Sequence, residues 1–230
     1  VDREGEGKDR INDIMIKRRK TREVMVGDLK VGGDNPIPVQ SMTNTDTKDV
    51  EATVAQIERL KEAGCEIIRV SVPDIESAEA LKGIKARAGI PVVADIHFDW
   101  KLAIASIENG ADKIRINPGN IGSEEKVRAI ADEAKKRGVA IRVGINSGSL
   151  QRDILEKYDD KVTPEGLAES ALRSIRMLEK ADFHDIIVSI KSTDVISTIR
   201  SHEILAGEGD WPFHLGITEA GRARTGMVKS

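Results

Sequence analysis

From residue 37 onward, short apolar runs of β type alternate with longer amphipathic stretches of helical type. The β-runs are IPVQSM (37–42), EIIRVSV (66–72), PVVADIHF (91–98), DKIRIN (112–117), VAIRVGIN (139–146), HDIIVSIK (184–191) and FHLGIT (213–218). Helix-like segments lie between them near 47–63, 76–88, 99–109, 123–137, 164–181 and 194–206. Ser123 ahead of Glu124 and Glu125 marks a helix start, and Pro164 takes a first helical position after Thr163. Gly64, Gly110 and Gly138 fall just past helix ends. Upstream, REVMVGDLKVGG (22–33) sets two short apolar runs around Gly27 and Asp28, the pattern of a tight β-hairpin. Strands separated by helices predict a parallel sheet, and no linker divides the chain.

Side chains alternate faces along a strand, so the runs themselves decide between an open sheet and a closed one. Ile68, Val70 and Val72 oppose Arg69 and Ser71; Ile114 and Ile116 oppose Arg115 and Asn117. Ile141, Val143 and Ile145 oppose Arg142, Gly144 and Asn146, and Ile186, Val188 and Ile190 oppose Ile187, Ser189 and Lys191. A doubly wound sheet carries helices on both faces and reads as apolar throughout. One apolar face with a second face that turns polar late in each strand predicts a TIM-type barrel, its polar face opening into the mouth.

Length and charge refine that picture. A (β/α)8 barrel usually takes about 250 residues. The 230 residues here, with about seven strands, predict an α/β (β/α)8 TIM-type barrel incomplete at its C-terminus, preceded by the hairpin and spanning 23–230. Residues 1–22 read as a flexible charged lead-in, with Lys17, Arg18, Arg19 and Lys20 as a solvated basic run. A net charge of −3 and 3% aromatic residues exclude a general nucleic-acid binder and a base-stacking platform. A single cysteine, Cys65, excludes an internal disulfide and any metal site of several cysteines. No apolar run reaches the ~18–20 residues of a membrane span, and the N-terminus has no apolar signal core. A cytoplasmic protein is the simplest expectation.

The inward polar positions gather near strand C-terminal ends, where such barrels place their sites. They are Arg69, Asp95, His97, Arg115, Asn117, Arg142, Asn146 and Lys191, joined by His214, Thr218 and Glu219. Three arginines and a lysine repel one another unless an anion lies between them, and Asp95 and Glu219 supply only two negative charges. Phosphate or diphosphate fits, because the guanidinium fork donates paired hydrogen bonds to phosphate oxygens. Asp95 shares the face of His97 and could orient its ring. The glycine-containing pieces NPGNIG (117–122) and NSGSL (146–150) could offer backbone N–H groups to phosphate. No HExxH, CxxC or EF-hand pattern is present, so no metal ligand is assigned.

Six blocks in order then carry a resemblance: VGGDNPIPVQSMTNTDT (31–47), VADIHFD (93–99), GADKIRINPGNIG (110–122), IRVGINSGSL (141–150), SIKSTD (189–194) and HLGITEAG (214–221). Together they resemble the N-terminal barrel of the 4-hydroxy-3-methylbut-2-enyl diphosphate synthase family of the non-mevalonate isoprenoid pathway. The resemblance implies an oxidoreductase that reductively opens 2-C-methyl-D-erythritol 2,4-cyclodiphosphate. It also implies ferredoxin or flavodoxin as electron donor, a homodimer, and a [4Fe–4S] cluster. By the same resemblance Arg69, Arg115, Arg142 and Lys191 match diphosphate contacts. Asn117, Asn146 and His97 line the same mouth, Ser192 of SIKSTD joins the substrate-binding set, and Glu219 is the catalytic candidate. The family's cluster cysteines belong to a C-terminal domain that these residues do not include, so the chain is expected to bind the diphosphate without activity of its own. Two other readings stay open. One is a pterin-binding, dihydropteroate synthase-like barrel; the other is a non-catalytic assembly module that pairs through an open sheet edge.

Overall fold

A computed structural model describes residues 18–217 and 220–229. The hairpin forms as expected from β1 (Glu23–Val26) and β2 (Leu29–Gly32), antiparallel and turning through Gly27, whose φ of 61° suits a residue without Cβ. Then follow β3 (Gln40–Met42), α1 (Val50–Glu62), β4 (Ile67–Ser71), α2 (Ile75–Ala88), β5 (Val92–Asp95) and α3 (Trp100–Glu108). The alternation continues with β6 (Lys113–Ile116), α4 (Pro118–Ile121), α5 (Glu124–Arg137) and β7 (Ala140–Asn146). It ends with α6 (Arg152–Lys157), α7 (Pro164–Lys180), β8 (Ile186–Lys191), α8 (Val195–Ala206) and α9 (Ala223–Lys229). The pieces α4 and α6 occupy loops that periodicity alone did not mark as helical.

Strands β3 to β8 lie side by side in chain order, all parallel. Neighbouring strands stand about 4.8 Å apart, so a flat sheet would hold β3 and β6 three such spacings from one another. Lys113 Nζ on β6 nevertheless donates to Gln40 Oε1 on β3 at 3.2 Å. The sheet is therefore curled into part of a barrel wall. Its convex face carries Ile68, Val70, Val92, Ala94, Ile114, Ile116, Ile141, Val143, Ile186 and Val188 against the helices, all fully buried. On the concave face Ile67, Val93, Ala140 and Ile187, early in their strands, pack with Val24 and Val26 of the hairpin. The hairpin thus plugs the N-terminal end of the barrel with apolar side chains.

Asp49, Asp74, Asp99 and Asp194 cap α1, α2, α3 and α8, each side chain accepting a backbone N–H of the first turn. A carboxylate there satisfies an orphan donor and suits the positive end of the helix. These caps fix the loops that leave the strands at the mouth.

One expectation is corrected. Of the seventh run, 213–218, the described residues form a single parallel bridge, Phe213 to Val188, rather than a strand. Pro212 offers a carbonyl to Val188 N but has no N–H, and no strand among the described residues pairs on its other side. The basic lead-in makes contacts where it is described. Arg19 donates to the Gly209 and Trp211 carbonyls at 2.7 and 2.6 Å and stacks over Phe213, and Arg22 pairs with Asp210. Residues 1–17, with Lys17 of that run, lie outside the described residues.

Candidate functional site at the barrel mouth

Late positions of the concave face converge on a cavity of 290 Å³ lined by Arg69, Asp95, His97, Arg115, Arg142, Asn146, Ser189, Lys191 and Ile217. Sheet register explains the convergence: Asp95 pairs with Arg115, Arg115 with Arg142, and Asn146 with Lys191. Asp95 is the carboxylate at the centre. Arg115 Nη1 reaches its Oδ1 at 3.3 Å, Arg69 Nε stands 3.8 Å from Oδ2, and His97 Nε2 stands 4.0 Å from Oδ2. His97 is half exposed on the rim, while Asp95, Arg115 and Arg142 are buried.

The guanidiniums are held by neutral groups where carboxylates are lacking. Arg115 Nη2 donates to the Gly144 carbonyl at 3.2 Å, and a Cβ on Gly144 would collide with Arg115 Nε. Glycine at this point of β7 is what lets the arginine lie across it. Asn146, its amide turned so that Oδ1 faces Arg115, accepts from Nη2 at 3.1 Å and donates to the Ile145 carbonyl at 3.2 Å. Arg69 donates to the sulfur of Met42, a weak acceptor. Arg142 Nη1 reaches Ser189 Oγ at 3.3 Å, and its Nε is buried without a hydrogen-bond partner.

Among the described residues, four cations against one carboxylate make this a strongly positive, partly dry pocket. Burial, and then the charges of Arg142, Arg69 and Arg115, push the Lys191 amine down to about 8. Burial and the neighbouring arginines also lower Arg142, although a guanidinium stays protonated at neutral pH. An anion with several oxygens would satisfy the open donors and offset the repulsion together.

Not every predicted site residue joins this cavity. Asn117 is buried beside β6 and caps α4, its Oδ1 accepting from Gly119 N at 3.2 Å, with Nδ2 unpartnered. Ser192 serves the next turn, where its Oγ accepts from Asp194 N. His214 lines a separate 420 Å³ cavity between β3 and the Phe213 segment. Burial and then Arg142 and Lys191 drive its pKa well down, so the ring is neutral. Asp99, two residues after His97, is committed to its helix cap. Thr218 and Glu219 lie outside the described residues.

Alternation placed Ser189 on the inward face without making it a site residue, and it had not singled out Lys113 or Gln40. Lys113 is two positions before Arg115 and shares its face, so the same period of two contained the signal. Its place at the very start of the strand hid it.

Residues 21–230 match the family described as GcpE TIM-barrel domain. A 4-hydroxy-3-methylbut-2-en-1-yl diphosphate synthase (flavodoxin) of Caldanaerobacter subterraneus subsp. tengcongensis is 58% identical over 217 residues, 94% of this chain and 61% of the relative. The protein of the same name from Geobacillus kaustophilus is 59% identical over 216 residues, 94% of this chain and 58% of the relative. The chain thus spans roughly three-fifths of these curated relatives. Among solved structures, 3-dehydroquinate dehydratase from Geobacillus kaustophilus aligns with TM-score 0.63 at 14% identity, covering 92% of this chain and 83% of that one. Dihydropteroate synthase of Xanthomonas albilineans aligns with TM-score 0.55 at 13% identity, covering 86% and 93%. At such identities the likeness is one of fold alone.

Proposed function

The chain belongs to the GcpE TIM-barrel family, and on that premise we propose that it is the substrate-holding barrel of a 4-hydroxy-3-methylbut-2-en-1-yl diphosphate synthase. The observation that carries the proposal is the mouth cavity, where Arg69, Arg115, Arg142 and Lys191 face one carboxylate, Asp95. The substrate proposed is 2-C-methyl-D-erythritol 2,4-cyclodiphosphate, opened reductively with electrons from flavodoxin or ferredoxin. Arg142 Nε and the donors that Arg69 now gives to sulfur are the groups best placed to take diphosphate oxygens. When the ring C–O bond breaks, the charge developing on the departing phosphate oxygen falls among fixed guanidiniums, which need no reorganisation to stabilise it. Lys191, Asn146 and His97 would orient the remaining polar groups of the substrate, and Glu219 is retained as the catalytic candidate.

A [4Fe–4S] cluster belongs to the proposed reaction, but the described residues do not fit one. Cys65 is buried with Sγ directed at the Ile67 carbonyl at 3.1 Å, and no group of three or more His, Cys, Asp or Glu among the described residues could hold a metal. The proposal therefore assigns the cluster to a further domain, and a homodimer to the whole enzyme. Among the described residues no helix is long and apolar enough to cross a membrane.

Calorimetric titration of the full chain with the cyclodiphosphate tests this reading. Binding is expected to weaken steeply with added salt, and Arg142→Ala to lower affinity by about a hundredfold, since a buried charge contact is lost. Affinity unchanged in both Arg115→Ala and Arg142→Ala would rule the reading out.

A further inference from the structure

Lys113 opens β6 on the concave face and is 2% exposed. About 6.6 Å of strand rise separates it from Arg115 above it. Its hydrogen-bond partner is the neutral amide of Gln40, and no carboxylate among the described residues forms an ion pair with it. Lys113 also lines the 420 Å³ cavity, whose wall it shares with Lys191, and Lys191 lines the mouth cavity as well. A buried amine is thus set beneath the cation cluster with no carboxylate among the described residues paired to it.

Resting on the diphosphate reading of the mouth, we propose that Lys113 is a positioning residue that couples anion binding to uptake of a proton, becoming the fifth cation of the site when a diphosphate is seated. Burying an unpaired ammonium is costly, and a lysine in that position sheds its proton instead. Burial first, then Arg142 and Arg69, bring the Lys113 amine to about 7. The surrounding groups are Gln40 from β3, Arg69 from β4, Asp95 from β5, Arg115 from β6, Arg142 from β7 and Lys191 from β8. His214, Arg18 and Arg19 line the adjoining cavity. Only Asp95 among them is anionic, and His214 is held neutral by burial and then by the same cations. A diphosphate above the arginines offsets their repulsion of Lys113, so the neutral amine takes one proton from solvent and becomes an ammonium. No bond of the ligand changes. Each phosphorus of a cyclic diphosphate is esterified and keeps no proton that titrates near neutrality, so the proton must enter the protein.

Titration of the full chain with the cyclodiphosphate, in Tris and in HEPES at each pH from 6.5 to 9, reads the protons taken up. The wild type is expected to gain about half to one proton near pH 7.5–8, with affinity falling roughly tenfold from pH 7 to 9. Lys113→Met should lose the part of that uptake seen near pH 7–7.5 and keep the step of Lys191 nearer pH 8, binding about tenfold more weakly at pH 6.5 and little differently at pH 9. Lys113→Arg should keep the affinity and lose the same part of the uptake. A merely structural role would instead weaken binding equally at every pH. Uptake unchanged in Lys113→Met, or none in the wild type, overturns the inference while leaving the diphosphate reading intact. If Lys113→Met does not fold, Lys191→Met decides: uptake that persists supports Lys113, and uptake that vanishes overturns it. A wild-type chain that does not bind the cyclodiphosphate removes both.

Discussion

The two ends of the barrel interior are built from the same strands and the same face, yet they are opposites. At the N-terminal end Ile67, Val93, Ala140 and Ile187 close on Val24 and Val26 of the hairpin. Two to four residues later, on the same strands, stand Arg69, Asp95, Arg142, Ser189 and Lys191. The floor is sealed by apolar contact and gains from excluding water. The mouth confines like charges and is held at an energetic cost that a seated anion would relieve. The hairpin contributes to this division by supplying Val24 and Val26 to the apolar layer. Stability and binding are thus separated by position along a strand rather than by face.

Substitutions can break that comparison from either side. The largest effect is expected from Val26→Asp, which buries a carboxylate among the apolar side chains of the floor. A loss of several kcal/mol is expected, enough to unfold much of the chain, as urea denaturation followed by circular dichroism would show. A folded, binding-competent Val26→Asp variant would mean the floor is not sealed.

An intermediate effect is expected at the mouth. Asp95→Asn removes the carboxylate that Arg69 and Arg115 approach and should cost roughly 3 kcal/mol. Added diphosphate should restore a larger share of the melting temperature in this variant than in the wild type. Equal rescue of both would show that Asp95 does not neutralise the cluster.

The smallest effect is the pH dependence of the empty protein. Lys113 at about 7 and Lys191 at about 8 both lie below the ordinary lysine value of 10.5. Between those values and 10.5 the unfolded chain binds more protons than the folded one, so stability rises with pH over that window. Thermal melts from pH 7 to 10 should climb by on the order of a few degrees, and saturating diphosphate should flatten the climb. A flat profile without ligand would place the mouth's charges in better solvent contact than the structure describes.

Much of this contrast was legible in the sequence, for a local reason. Alternation along a strand has a period of two whatever the partner, so Arg69, Arg115, Arg142 and Lys191 could be assigned to one face from their neighbours alone. Lys113 obeyed the same rule, but a charged residue at a strand's first position resembles an ordinary boundary, and only the contact with Gln40 shows it to be interior. Asn117 was grouped with the mouth by alternation with Arg115, and Ser192 through the resemblance of SIKSTD. Each lies where the strand has already turned into a loop, and its side chain answers to the backbone there. The run 213–218 had a strand's composition but lacked a second neighbour to pair with among the described residues, and pairing is not a property of one segment.

The sequence by itself determined the order of strands and helices, the face each residue occupies and the excess of positive charge late in the strands. These follow from local periodicity and side-chain chemistry. Only the tertiary structure decided that the sheet curls, that the hairpin becomes the floor, and that Asp95 is the one carboxylate among the described residues lining the mouth beside four cations. Those outcomes depend on register and curvature, which set the distances between residues far apart in the chain, and distance determines how strongly charges act on one another.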